Sequence, residues 1–335
     1  MIDIKKDFSL KGSNSLAFDH RVEYYCEAKT IEDCQEFIGF CLKRNIPIFP
    51  LGEGTNIVLT KKIKGAVLKV SVLGKKKKEE DVIIGGGENW NDIVLWSLKK
   101  KLYGLENLAL IPGTAGAAPV QNIGAYGEEI SSRLISVEVI NLNNNELIYL
   151  NSNECKFGYR DSIFKREEEY LITSIKLKLN KSSKTNTSYH SLHDYLLRDD
   201  IDPSQATPHQ VCRAVTSIRK KILPDPNIEP NVGSFYKNLF LNKSELQNLK
   251  NYVSDLPYFK TENDNLFKVP LAFLIEKAGL KGKRIGKCHV SDKHALVLVA
   301  DEGSSSKELI KLSDFITRHI LKTMKIDIEI EPKII

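Results

Sequence analysis

Four kinds of residue in this chain could do chemistry on a small anionic molecule. In CKFGYRDSIFK (155–165), Arg160 and Asp161 stand among aromatics. A planar, permanently charged guanidinium suits a carboxylate or an enolate, and the plainer alternative is a half-buried Arg160–Asp161 pair. In NVGSFYKN (231–238), Ser234 follows a glycine and is joined by Lys237 and Asn238. The GxSxG elbow of a hydrolase is absent, so a nucleophilic serine is not expected, and a serine in such a turn is ordinarily structural. Glu329 and Glu331 fall on one face of the terminal segment IDIEIEPKII, where carboxylates are ordinarily just solvated. The histidines show no metal-ligand spacing, and no metal is expected.

A second group of residues is suited to holding a ligand rather than transforming it. Residues 111–130, IPGTAGAAPVQNIGAYGEEI, carry hardly a charge and are dense in glycine and alanine. Short side chains and permissive backbones let a flat or phosphate-bearing molecule lie against the main chain. PLGEGTNIVL places Gly52, Gly54, Thr55 and Asn56 between two apolar runs. Consecutive amides there form a nest for a phosphate; a tight hairpin is the plain reading. Neither the P-loop nor the dinucleotide fingerprint is present. With GGGENWNDIV added, the segments point to a pyrophosphate held between two glycine-rich loops.

The elements that must position these residues are mixed. Thr30 to Arg44 has apolar residues at helical spacing with Thr30 as N-cap. IPIFPLGEGTNIVLT reads strand, turn, strand, while GAVLKV and DVIIGG are short strands. Lys75–Lys78 followed by Glu79, Glu80 and Asp81 looks like a solvated hairpin tip. ENWNDIVLWSLKKKL is an amphipathic helix, and LISVEVINL, NELIYL and YLITSIKLKL alternate as strands. Residues 181–202 turn polar, a candidate flexible excursion, before Thr207 caps a helix with Pro208 at its first position. IDIEIEPKII reads as a closing strand. The pattern is α+β, without the repeated strand–helix units of a doubly wound sheet.

The 335 residues allow two or three domains. A net charge of +6 and a pI near 8.8 come without any nucleic-acid-binding signature, so no nucleic-acid partner is expected. Six scattered cysteines form no CxxC pair and suit a reducing compartment. The start MIDIKKDFSL has no apolar signal core, and no apolar run is long enough to span a bilayer, so a cytoplasmic location is expected.

Taken together, LGEGTNIVL, GGGENWNDIV, GLENLALIPGTAGAAPVQNIGAYGEE, ECKFGYRDSIFK, LPDP, GSFYKN, LIEKAGLKGKRIG and HALVLV closely resemble the UDP-N-acetylenolpyruvoylglucosamine reductases. They occur in that family's order over nearly the whole chain. The tyrosine-bearing excursion before Thr207 is similar to the type I branch. The resemblance implies a vanillyl-alcohol-oxidase/PCMH-type FAD-binding fold of two α/β subdomains with a C-terminal α/β substrate-binding domain. On this chain that implies residues 1–72 as the first subdomain, completed by 326–335, then 73–215 with the tyrosine loop near 182–202, then 223–325 for substrate.

The implied cofactors are FAD and NADPH, and the implied reaction reduces an enolpyruvyl sugar nucleotide to UDP-N-acetylmuramate in a monomeric cell-wall enzyme. FAD would be walled by Gly52, Gly54, Thr55 and Asn56 on one loop. Its other wall would be Pro112, Gly113, Thr114, Gly116, Ala117, Gln121, Asn122, Gly124, Ala125 and Tyr126. By the same resemblance Arg160 and Glu331 attend the enolic carboxylate, Glu331 being two positions before Lys333, and Ser234 is the proton donor. Tyr189, Lys237, Asn238 and His294 would bind substrate, with Tyr195 competing with Tyr189 as its clamp. The chain departs from the family pattern at Ile222, Lys287, His294 and Pro332. Another FAD oxidoreductase of the same fold and a sugar-nucleotide binder without turnover are the alternatives.

Overall fold

The first helix begins where sequence chemistry places it. Thr30 Oγ1 accepts from the Asp33 amide at 3.1 Å while the Asp33 carboxylate accepts from the Thr30 amide at 3.1 Å. This reciprocal cap starts Ile31–Leu42, which buries Cys34, Phe37, Ile38 and Cys41. The structure is a computed structural model describing residues 2–261 and 263–335. Its contacts divide the chain into two units, the first comprising Met1–Ser9, Arg21–Gly54 and Ile63–Lys220 and the second Leu10–His20, Thr55–Lys62 and Lys221–Ile335.

The first unit holds two sheets. One runs in the order Lys5–Ser9, Arg21–Ala28, Ile63–Val70, Ile48–Leu51, antiparallel at its first pair and parallel at the other two. Ile63–Val70, inside this sheet, is buried almost continuously, as a strand covered on both faces must be. The other sheet is antiparallel, in the order Leu147–Asn151, Leu134–Asn141, Tyr170–Lys178, Asp81–Gly85, Lys75–Lys78. Trp90–Lys99 and Pro208–Ile222 join its core, and the buried Trp90 indole donates to the Leu108 carbonyl at 3.0 Å.

In the second unit, Asn231–Ser234, Val297–Ala300, Cys288–Val290 and Arg284–Ile285 form a sheet in that order. The helix Ser306–Met324, started by a Ser305–Glu308 capping box, buries Leu309, Leu312, Ile316 and Ile320 in this unit's core. Lys333–Ile334 pairs in parallel with Ile57–Val58.

Four sequence expectations change. Lys75–Lys78 is not a tip but an edge strand, and the turn falls at Glu79, whose φ is +57°. A row of lysines is well suited to an edge because it resists pairing with another chain. The apolar runs flanking Gly52 and Gly54 do not form a hairpin: Ile48–Leu51 pairs with Ile63–Val70, and Ile57–Val58 with Lys333–Ile334. The polar excursion contains the helix His190–Arg198, with Leu192 and Leu196 fully buried one turn apart. Thr185 and Thr187 hydroxyls also tie it to the Ala206 and Pro203 carbonyls, both at 2.9 Å. The closing strand is interrupted: Ile330 makes a single bridge to Tyr236, and regular pairing resumes only at Lys333. Pro332 lies between them and has no amide hydrogen to donate.

Candidate active site

In the first unit, three glycine-bearing segments converge. The amides of Ala115 and Gly116 donate to the Glu88 and Gly86 carbonyls at 2.8 Å each, and the Trp90 amide donates to Gly113 at 2.9 Å. Asn89, the N-cap of the helix Trp90–Lys99, also reaches the Glu53 carboxylate at 3.2 Å. A Cβ added to Gly52 would meet Thr114 Oγ1 at 2.8 Å and the Ala117 methyl at 3.4 Å. The loops at 52–54 and 113–117 are thus neighbours whose shared space a side chain would fill, the cradle a dinucleotide pyrophosphate needs. These residues fit FAD. Gly116 also serves the fold: its Cβ would meet the Gly86 backbone at 3.0 Å.

The accessible wall and the buried frame can be told apart. Gly52, Ala117, Gln121, Gly124 and Ala125 are partly accessible and Pro112 exposed, whereas Gly54, Gly113, Thr114, Gly116, Asn122 and Tyr126 are buried. The Asn122 side chain is committed to the protein. It donates to Glu129 at 2.7 Å and the Gly158 carbonyl at 3.1 Å, and accepts from the Ser131 amide at 3.1 Å. It fastens the glycine-rich segment to the turn carrying Arg160. Asn107 does similar work without any sign in the sequence, donating to the carbonyls of Tyr126 and Asn186 at 2.8 Å each. Only its burial reveals it.

Arg160 does not pair with Asp161. Asp161 is taken by Arg166, while the Arg160 guanidinium lies on the glycine-rich segment. Its Nη1 donates to the Asn122 carbonyl at 3.3 Å and faces Glu129 at 3.5 Å, and its Nη2 donates to the Gly124 carbonyl. A Cβ at Gly124 would meet Nη1 at 2.8 Å, so glycine is what lets the guanidinium seat there. Asn122, Tyr126 and Arg160 all have left-handed backbones, with φ of +45°, +49° and +51°. Such conformations cost about 1–3 kcal/mol each and cluster at functional sites.

Two tyrosines complete this part of the site. Tyr126 and Tyr189 meet edge to face, their ring centroids 5.5 Å apart. Burial pushes the Tyr126 phenol up to about 12, opposed by Arg219. Burial also raises Tyr189, with Tyr159 adding and Arg160 opposing, although 41% of the residue is exposed. The charged form of that phenol would be poorly solvated. Tyr195, its competitor, packs on the core instead.

In the second unit, Ser234 ends the strand Asn231–Ser234, paired with Val297, after Gly233 at φ +72°. The buried Asn231 side chain accepts from the Gly233 amide at 2.8 Å and so shapes that turn. Phe235 and Tyr236 are wholly buried, and the Tyr236 hydroxyl bonds Ser313 at 3.0 Å. The bridge between Tyr236 and Ile330 brings the Glu331 amide to the Phe235 carbonyl at 3.0 Å. The backbones of Ser234 and Glu331 are therefore held side by side.

The remaining predicted residues have partners. Lys237 pairs with Glu329, which ties up the other terminal carboxylate. The Asn238 side-chain oxygen accepts from the Leu271 amide at 3.1 Å, at the start of the helix Leu271–Lys277. His294 Nδ1 accepts from the Leu296 amide at 3.2 Å. Thr55 and Asn56 belong to this unit, where the Asn56 carbonyl accepts from the Lys333 amide at 3.1 Å. Among the described residues no His, Cys, Asp or Glu cluster could hold a metal, and no helix is long and apolar enough to cross a membrane.

Residues 22–150 match an FAD binding domain family, and residues 225–335 match the C-terminal domain of UDP-N-acetylenolpyruvoylglucosamine reductase. A UDP-N-acetylenolpyruvoylglucosamine reductase of Flavobacterium johnsoniae is 36% identical, covering 100% of both chains. That of Bdellovibrio bacteriovorus is 37% identical over 99% of each. The crystal structure of the Thermus caldophilus enzyme is similar in fold, with a TM-score of 0.68 at 20% identity over 100% of this chain and 98% of that one. With this similarity running from end to end, the chain belongs to the UDP-N-acetylenolpyruvoylglucosamine reductase family, and its N-terminal half is an FAD-binding domain.

Proposed function

We propose that the protein reduces UDP-N-acetyl-3-O-(1-carboxyvinyl)-glucosamine to UDP-N-acetylmuramate with NADPH and FAD, in cytoplasmic peptidoglycan precursor synthesis. The observation that carries this reading is the seat of Arg160, whose guanidinium is held by carbonyls of the same glycine-rich segment that fits the cofactor. FAD, when bound, supplies the hydride chemistry, and the protein supplies placement and electrostatics.

Reduction of an enolpyruvyl ether at its terminal carbon leaves negative charge spread into the carboxylate. Arg160 is a fixed, already oriented cation for that charge, so it stabilises the transition state without reorganising. Glu331 is its polar partner at the carboxylate. Ser234 then gives its hydroxyl proton to the carbon that was left anionic. Serine is a weak acid, so this step needs a strongly basic acceptor within hydrogen-bond reach. The buried Phe235 and Tyr236 hold the serine still by anchoring the chain just after it. Tyr189, against Tyr126, is the substrate clamp. Lys237, Asn238 and His294 hold the sugar nucleotide, Lys237 with its charge balanced by Glu329.

The domain assignment proposed is residues 1–72, completed by 326–335, and 73–215 for the cofactor and 223–325 for substrate, in a monomer acting on small molecules. The test is NADPH oxidation measured with and without the enolpyruvyl sugar nucleotide. Oxidation that depends on it, yielding UDP-N-acetylmuramate, is expected; tight binding of both ligands without turnover would contradict the proposal.

A further inference from the structure

Three residues before Tyr189, the side chain of Asn186 turns back onto the glycine-rich segment. Its amide donates to the Gly127 carbonyl at 3.2 Å and to the Glu128 carboxylate at 2.9 Å. Its side-chain oxygen accepts from the Ser188 amide at 3.2 Å and the Ser188 hydroxyl at 2.7 Å. The backbone is held as well, since the buried Asn107 shares its amide between the carbonyls of Asn186 and Tyr126. Gly127 permits the approach: its φ is +84°, and a Cβ there would meet Asn186 Nδ2 at 3.3 Å. These bonds join the two stretches of chain whose tyrosines, Tyr126 and Tyr189, meet edge to face.

Two plain explanations fall short. The bonds to Ser188 make an ordinary asparagine turn. Such a turn needs only the side-chain oxygen, whereas here the amide is spent on a different segment. Nor is Asn186 needed to keep this stretch on the protein. Thr185 and Thr187 already fasten it to the Ala206 and Pro203 carbonyls, and Leu192 and Leu196 bury the helix that follows. The threonine bonds run to residues 203–206, not to the glycine-rich segment. Where Tyr189 stands also matters to the site, because Tyr159 and Arg160 both act on its phenol.

We propose that Asn186 positions the clamp, pinning Tyr189 against Tyr126 before any ligand arrives. This rests on the functional reading above, in which Tyr189 is the clamp, and extends it to what sets the clamp in place. A clamp held ready spares the ligand the cost of ordering it. One that is in place only a fraction of the time lowers the apparent affinity by that fraction. The bond to Glu128 contributes most, because its acceptor is a carboxylate.

The test uses the flavin-loaded protein with Asn186→Asp, with Asn186→Ala, and with Asn186→Asp combined with Glu128→Gln. Aspartate keeps the shape and the acceptor for Ser188, but sets a carboxylate against Glu128 and the Gly127 carbonyl. Glutamine at position 128 restores a donor across the same gap. Flavin content and thermal melting show whether each is folded, and Asn186→Ala carries the test should aspartate fail to fold. Two quantities are measured: amide hydrogen exchange of residues 185–190 without ligand, and the Kd of UDP-N-acetylmuramate from its perturbation of the flavin spectrum. In Asn186→Asp exchange should quicken and Kd rise about tenfold. Asn186→Ala should do less, and the double variant should return both quantities towards wild type. A folded Asn186→Asp that exchanges at the wild-type rate overturns the proposal whatever its Kd, as does a loss that Glu128→Gln fails to repair. Faster exchange with an unchanged Kd, or wild-type protein that binds no UDP-N-acetylmuramate, sinks the functional reading of Tyr189 instead, and exchange then decides Asn186 alone.

Discussion

Replacing Gly124 by alanine should disarm Arg160 without touching it chemically. The new methyl would lie 2.8 Å from Arg160 Nη1, 2.8 Å from Glu129 Cγ and 2.9 Å from the Glu128 carbonyl. Contacts under 3.0 Å are essentially never seen for real Cβ atoms, so something must move. The Glu128 carbonyl is backbone in a short paired segment, Glu128–Glu129 against Gly124–Ala125, and yields at high cost. The guanidinium is the far end of a flexible side chain and yields first. It then loses its bonds to the Asn122 and Gly124 carbonyls, each worth about 1.5–3 kcal/mol when the donor is charged. Overpacking of this kind costs a fold about 1–3 kcal/mol, which a domain of ordinary stability survives. A displaced cation no longer meets the developing charge, and loss of such a group slows the step by roughly 10²-fold. The assay is rapid mixing without oxygen: NADPH with oxidised protein, then enolpyruvyl substrate with reduced protein. Flavin content and the first reaction should stay near wild type while the second slows. A Gly124→Ala protein reoxidised by substrate at the wild-type rate would refute the idea that this turn sets Arg160 in place. Equal loss in both reactions would assign the turn to folding or cofactor retention.

Three further outcomes follow from named contacts. Ser234→Ala should leave reduction by NADPH intact and slow reoxidation by substrate by about 10²-fold or more, as loss of a general acid does; a fast second reaction would remove the proton-donor role. Tyr236→Phe deletes a buried hydroxyl bonded to the Ser313 carbonyl and hydroxyl, and chemical denaturation should show a loss of about 1–3 kcal/mol. An unchanged midpoint would mean that this bond does not anchor the Ser234 strand. Burial pushes the thiols of Cys26, Cys34, Cys155 and Cys288 up to about 12. In the unfolded chain they ionise near about 8.5. Their contribution is therefore complete below that value and is lost as pH rises towards about 12. Thiol reagents should find these four silent at pH 8 until denaturant is added, and rapid labelling of the native protein would contradict their burial.

Local chemistry makes much of the fold legible. The Thr30 cap, the alternating strands after residue 134 and the glycine-rich segments each declare themselves within a few residues, because caps, pleats and turns are local devices. What is not legible is decided at a distance. Lys75–Lys78 reads as solvent because an edge strand needs no apolar face, and only its partner Asp81–Gly85 makes it a strand. The runs around Gly52 look like a hairpin because nothing local says that their partners are Ile63–Val70 and Lys333–Ile334. Arg160 is legible as a functional cation, but its release from Asp161 depends on Arg166 and on the bareness of Gly124.

The central claim is that the glycine-rich cradle holds a flavin which Arg160, Ser234 and Glu331 direct at an enolpyruvyl sugar nucleotide. One anaerobic titration tests it most directly. The purified protein should be yellow, lose its flavin colour on addition of one equivalent of NADPH, and regain it when the enolpyruvyl sugar nucleotide is added, with UDP-N-acetylmuramate formed in matching amount. A flavin that bleaches with NADPH but stays reduced until oxygen is admitted would contradict it.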